Sequence, residues 1–261
     1  MTHTPSAVSA CTSSGGQQNP SVLLETLDIA YTYPGASAPA LKDASLRIEQ
    51  GMRIGVMGHN GSGKTTLFHI IMGLVTPHAG EVRFLQRPMR TEKDFRQLRR
   101  EVGLLFQQSD DQLFCPTVLE DVAFGPLNLG KTPDEARDIA RETLRNVGLR
   151  NFEQRITHRL SGGEKKMVAL AAVLAMQPQV LLLDEPTNDL DPHTREHLIE
   201  QLNALPVTRC IISHDWDFLE RTCSSFVSLR QGSVHKTDHV PHVHVHIHDG
   251  GDTEHRHEDH D

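Results

Sequence analysis

The chain lacks any long apolar run. Its longest fully apolar stretch, from Met167 to Met176, falls far short of the roughly 20 residues that a membrane-spanning helix needs. No basic n-region followed by an apolar h-region opens it, so no secretory signal is expected. Cysteine is sparse: Cys11, Cys115, Cys210 and Cys223 form no CxxC pair, which predicts buried or incidental thiols in a reducing compartment rather than a disulfide framework. An excess of basic charge is also missing. Lys and Arg total 26 against 34 Asp and Glu, a net charge of −8. The stretch from His235 to Asp261 holds seven acidic and two basic residues, a balance of −5 that leaves −3 for everything before it. A body so near neutrality has no electrostatic footprint for nucleic acid. No internal repeat is visible.

What is present is an ordinary soluble composition, 37% hydrophobic and 23% charged over 261 residues, enough for one large core with a smaller appended subdomain. Residues 1–20 are rich in Ser, Thr, Gly and Gln without periodicity, and a disordered leader is expected there. Short apolar segments follow at VLLETLDIAY, ASLRIE, RIGVM, VGLLF, VLLLD, RCIIS and FVSL, interleaved with helical patterns such as KTTLFHIIMGL. Alternation of this kind predicts an α/β layer architecture with a largely parallel sheet. In TPDEARDIARETLRNVG, Thr132 is an N-cap, Pro133 takes the first helical position and Glu135 completes a capping box. Ala136, Ile139, Ala140, Leu144 and Val147 then form one apolar stripe. This helix belongs to a mostly helical insert spanning about residues 108–176, inside an ordered domain expected over 21–234.

The chemistry-bearing stretch is GHNGSGKT, Gly58 to Thr65. It matches G-x-x-x-x-G-K-[ST] with a strand before it and a helix after it. Glycines at 58, 61 and 63 let successive backbone N–H groups curl around a phosphate, helped by His59, Asn60, Ser62 and Thr66 of the same turn. Lys64 adds a full positive charge, and the Thr65 hydroxyl can hold Mg²⁺. The His59 side chain reads as an exposed bystander at a variable position. Further on, VLLLDEP delivers Asp184, a Mg²⁺ candidate, and Glu185, a candidate for polarising the attacking water.

LSGGEKK, Leu160 to Lys166, completes the set, and from about Val22 to Val234 the chain resembles the ATP-binding subunits of ABC transporters. In that resemblance Tyr33 of YTYPG stacks on adenine, and Gln107 of LLFQQ is the Q-loop glutamine that contacts Mg²⁺. Ser161, Gly162 and Gly163 form the signature, Asn188 to Asp191 the D-loop, and His214 of ISHDW the switch histidine. The resemblance implies an ABC-type P-loop ATPase core with a small antiparallel β region, ATP and Mg²⁺ as cofactors, and catalysis by Glu185, His214, Gln107 and Lys64. It also implies a second copy of the chain, because each signature covers the ATP held by a partner. The place of work implied is the cytoplasmic face of a membrane, beside integral transport subunits. Two departures stand out, Glu164 where glutamine is common and Met167 where arginine often follows. ABC ATPases of DNA repair and of translation differ in domain layout and fit poorly.

QQSDDQLFCPTVLEDVAFGPLNLG, Gln107 to Gly130, is similar to the energy-coupling-factor importers of vitamins and metals, and LSGGEKKMVALAAVLAM points towards their cobalt/nickel branch. Leu113, Phe114, Val118, Val122 and Phe124 give this region more apolar surface than a free loop needs, so part of it is expected to receive a helix of a membrane partner. A vitamin or other small nutrient remains the alternative cargo. The tail HVHVHIHDG bears on this choice. His242, His244, His246 and His248 alternate on one side of an extended segment, about 6.8 Å apart, and neutral imidazole is the commonest transition-metal ligand. A disordered, metal-binding tail is expected over 235–261. His193 and His197 share the i, i+4 spacing of a metal pair but read as structural.

Overall fold

Two sheets organise the chain, and the patterning of their strands sets how each is covered. In the computed structural model, which describes residues 21–237, β1 (Val22–Tyr31), β2 (Leu41–Glu49), β4 (Ala79–Phe84) and β5 (Arg87–Met89) form an antiparallel sheet in the order β2-β1-β4-β5. Along β2, Ala44, Leu46 and Ile48 are buried while Ser45 and Arg47 are exposed, the period-2 signature of a sheet with one face on the core. The second sheet holds β3 (Arg53–Met57), β6 (Val102–Leu105), β7 (Val180–Asp184), β8 (Thr208–Ile212), β9 (Ser225–Arg230) and β10 (Ser233–Thr237), ordered β10-β9-β3-β8-β7-β6. Every pairing in it is parallel except β9 with β10.

The continuous apolar run of β7 follows from burial on both faces. Leu181 and Leu183 enter one apolar cluster, shared with helices of the insert, while Val180 and Leu182 enter another, shared with α1 (Lys64–Ile71) and the antiparallel sheet. The insert consists of α3 (Val118–Asn128), α4 (Pro133–Asn146) and α5 (Gly162–Leu174). Thr132 caps α4 through a complete capping box with Glu135, and Ala136, Ala140, Leu144 and Val147 of its stripe are buried. The remaining helices are α2 (Glu92–Glu101), α6 (Pro192–Ala204) and α7 (Trp216–Thr222).

The structure departs from the sequence reading in several places. β4, β5 and α2 had no segment assigned to them: β5 is three residues long and α2 buries only Leu98, too little apolar signal for either period. Strand β10 runs through Thr237, so His235 belongs to the sheet, pairing with Ser228 of β9, and not to a tail starting there. The leader at 1–20 and the histidines at 242, 244, 246 and 248 lie outside the described residues.

Candidate active site

In parallel sheets ligands bind beyond the carboxyl ends of the strands, and here adjacent strands deliver their functional residues to one such edge. β3 leads into Gly58, β8 into Ser213 and His214, β7 ends in Asp184 and leads into Glu185, and β6 leads towards Gln107. The cleft along this edge has a volume of about 670 Å³ and is lined by Asn60 to Thr66, Tyr33, Gln107, Asp184, Glu185 and His214. A cavity of similar size, about 710 Å³, lies between α4 and the edge of the sheets, but Glu142 is the one charged residue lining it.

The turn from Gly58 to Lys64 tolerates only glycine at two points. Gly63 has φ 100°, and a Cβ there would stand 2.4 Å from the Ala40 carbonyl oxygen; Gly58 has φ 150°, with the Leu229 carbonyl oxygen 2.5 Å from such a Cβ. Both conformations are left-handed and closed to side chains by backbone. Lys64 folds back over the turn, its Nζ donating to the Gly58 carbonyl at 2.8 Å and the His59 carbonyl at 3.1 Å. Burial lowers the Lys64 pKa, while Glu185 and then Asp184 oppose the shift.

Across the cleft, burial raises the Asp184 pKa against the Thr65 hydroxyl, His69 and two lysines, and raises that of Glu185 against the His214 N–H and Lys64. Glu185 is 5% exposed and holds a left-handed φ of 47°, fixed by its N–H donating to the Ile212 carbonyl at 2.9 Å. Strain of this kind in a bulky residue gathers at functional sites. The His214 N–H donates to Glu185 Oε2 at 3.3 Å, and its Nε2 lies 3.4 Å from both Glu185 Oε1 and Lys64 Nζ. Burial, then Lys64 and His59, hold the His214 pKa down.

Three buried polar atoms in this region, Ser62 Oγ, Asp184 Oδ1 and Glu185 Oε1, have no hydrogen-bond partner. Such orphans cost free energy unless a ligand satisfies them. A hydroxyl and two carboxylate oxygens facing a glycine turn and an ammonium make a donor set that fits a Mg²⁺–polyphosphate. Tyr33 sits at the mouth, 45% exposed, its hydroxyl 2.8 Å from Thr66 Oγ1 and its ring edge-on to Tyr31.

The signature lies elsewhere: none of Ser161, Gly162 and Gly163 lines the cleft. Ser161 N-caps α5, and Glu164 completes the box by accepting from the Ser161 N–H at 2.9 Å. Glu164 is therefore a capping residue, also paired with Arg155 at 2.8 Å, and Met167 is core at 2% exposure.

The apolar stretch after Gln107 divides in two. Val118 and Val122 are core and Leu113 packs against it, whereas Phe114 and Phe124 are exposed and meet edge-to-face at 4.7 Å. Asp121 holds the Phe114 segment in place, accepting from the Phe114 and Cys115 N–H groups and from the Thr157 hydroxyl. His197 is engaged with the Val147 carbonyl at 2.9 Å. Among the described residues no group of three or more His, Cys, Asp and Glu is placed to hold a metal ion. The sequence patterns do not single out Lys166, Arg195 or Asp121, which meet Gln107, Asp215 and Thr157 at 59, 20 and 36 positions' separation.

With this geometry in hand, the comparisons are specific. Residues 41–188 match the family model for the ABC transporter. A protein of Nitratidesulfovibrio vulgaris named for the same family is 60% identical over 235 residues, covering 90% of this chain and 86% of its relative.

The chain belongs to the ABC transporter ATP-binding family.

The energy-coupling factor transporter ATP-binding protein EcfA of Methanothermobacter thermautotrophicus is 43% identical, covering 81% of this chain and 69% of EcfA. Among solved structures, CbiO1 of Clostridium perfringens, part of the ABC transporter complex CbiONQ, superposes with a TM-score of 0.72 at 35% identity, covering 82% of this chain and 87% of that one. A dimeric ABC cassette in a post-hydrolysis state, bound to ADP and Pi, gives 0.76 at 28% identity over 82% and 98% of the two chains. The ABC ATPase is thus a nucleotide hydrolase that works on ATP with Mg²⁺, its fold a cassette of one parallel and one antiparallel sheet. No helix among the described residues is long and apolar enough to cross a membrane.

Proposed function

We propose that this ABC ATPase powers an energy-coupling-factor type importer, with nickel or cobalt as cargo. Two copies of the chain work together at the cytoplasmic face of a membrane, with integral transport subunits. The observation that carries the dimer is the separation of the two half-sites: the cleft holds the phosphate turn and both carboxylates, while Ser161 to Gly163 lie outside it. Phosphate oxygens facing away from Lys64 therefore need the N-terminus of a signature helix from a second copy.

MgATP supplies the γ-phosphoryl group and the cation that neutralises its charge. The chain's own residues do the rest. N–H groups of the glycine turn and the Lys64 ammonium would hold the phosphates, and the Thr65 hydroxyl, Gln107 and Asp184, which line the same cleft, would hold the cation. Glu185 Oε1, unpaired and raised in pKa by burial, accepts a proton from the attacking water. His214, kept neutral by burial and Lys64, stands beside the same oxygen to orient the γ-phosphate. Tyr33 stacks on the adenine.

Glu185→Gln is the decisive variant. It keeps ATP binding, loses about 10²–10⁴-fold in turnover, and accumulates as an ATP-bound dimer on size-exclusion chromatography. Near-normal turnover would remove Glu185 from the mechanism.

The cargo reading draws on the likeness to EcfA and CbiO1 and on the alternating histidines at 242, 244, 246 and 248 as nickel or cobalt ligands. Its test is metal accumulation in cells carrying this ATPase with its membrane partners, using the full chain, Glu185→Gln and a chain ended at Thr237. Nickel or cobalt uptake that depends on Glu185 supports it, and a change on truncation confined to extreme metal levels assigns the tail to buffering. Uptake indifferent to Glu185 would point to another cargo.

A further inference from the structure

A buried lysine that does not line the cleft but bonds a residue that does has no assigned task. Lys166, in the second turn of α5, is 2% exposed, and its Nζ donates to the backbone carbonyl of Gln107. No carboxylate among the described residues reaches ion-pair distance of it. Asp189, Asp184 and Glu185 are near enough to favour its charged form, while burial lowers its pKa. Next to it, Lys165 pairs with Asp110 at 2.6 Å, so consecutive lysines of the signature helix grip the same turn after β6. Gln112 holds that turn from the other side, accepting from the Phe106 N–H and donating to the Leu104 carbonyl, each at 3.2 Å.

An ammonium with one carbonyl for a partner is a costly group to bury. A methionine of similar length would fill the same space without that cost, and replacing buried charge by apolar bulk is often stabilising. The lysine is therefore poor as a core residue. What it does is fix a backbone position: Gln107 lines the cleft, and its carbonyl is tied to the helix whose N-terminus is Ser161.

We propose that Lys166 is a positioning residue for ATP hydrolysis, holding the Gln107 backbone so that the Gln107 side chain faces the cleft and moves with the signature helix. Lys64 and Lys166 then have separate roles, one folded over the phosphate turn and one tied to the Gln107 backbone. The proposal rests on the reading of Gln107 as a residue of the nucleotide site.

The test compares Lys166→Met, Lys166→Arg and Gln107→Ala in the full chain. Lys166→Met is expected to melt at the wild-type temperature or above it. Its kcat should fall by at least ~10-fold with KM for ATP within ~3-fold, since a misplacement near 1 Å costs up to ~100-fold. Amide exchange across residues 106–112 of the nucleotide-free protein should quicken while β7 stays protected, and Lys166→Arg should recover most of kcat. Wild-type kcat and exchange in Lys166→Met would overturn the proposal. So would a Lys166→Met protein that fails to fold, or whose melting temperature and activity fall together, because the lysine would then be structural. Normal turnover in Gln107→Ala would instead retire the reading of Gln107 on which the proposal rests.

Discussion

Arg195 grips Asp215 with both arms of its guanidinium, Nε to Oδ2 at 2.6 Å and Nη2 to Oδ1 at 2.9 Å. The pair joins α6, which follows Asn188–Asp191, to the residue immediately after His214, and Nη2 also reaches Asp217 at 2.6 Å. Asp215 in turn caps α7 by accepting from the Phe218 N–H at 3.0 Å. A two-pronged charged pair is stronger than a single contact, so Arg195→Ala should cost about 1–2 kcal/mol in denaturant unfolding and lower kcat by loosening His214.

The same pair sets a pH dependence. Arg195 first, and then the Phe218 N–H and the Arg195 charge, hold the Asp215 carboxyl below its ordinary 3.8, with burial opposing them. A depressed folded-state value contributes stability that is present above 3.8 and is lost as pH falls through the folded-state value. The acid limb of a pH–stability curve should therefore flatten in Asp215→Asn; an unchanged limb would show that the pair contributes nothing.

Gly63 is the least replaceable residue of the phosphate turn. Gly63→Ala places a methyl 2.4 Å from the Ala40 carbonyl at φ 100°, strain of about 1–3 kcal/mol before any clash is relieved. Fluorescent-nucleotide titration should show binding lost, with a lower melting temperature. Gly61→Ala is the control at φ 77°, where nothing lies within 4 Å of a Cβ. It should keep most of its stability.

Phe114 and Leu113 separate surface from core. Phe114 is 64% exposed, so Phe114→Glu should change stability by no more than about 0.5 kcal/mol and leave basal ATPase activity intact, while abolishing assembly with the membrane partner. Leu113 packs against the large apolar cluster, and Leu113→Glu should unfold the insert. Normal assembly in Phe114→Glu would move the docking surface elsewhere.

The phosphate turn, the signature and the Asp184-Glu185 pair were legible in the sequence because their chemistry is contiguous. Consecutive backbone N–H groups, one capping serine and the end of one buried strand need only neighbours to take shape. The α4 helix was legible for the same reason, since its cap, first-position proline and apolar stripe are local. β4, β5 and α2 were not, because short edge strands and an exposed helix carry little periodic signal. Only the tertiary structure decided that β3, β8, β7 and β6 lie side by side with their carboxyl ends together, which brings Lys64, His214, Glu185 and Gln107 to one cleft. It also decided that Lys166 meets a carbonyl 59 positions away and Arg195 a carboxylate 20 positions away. Packing order along a sheet brings these groups together, and no spacing within the chain encodes it.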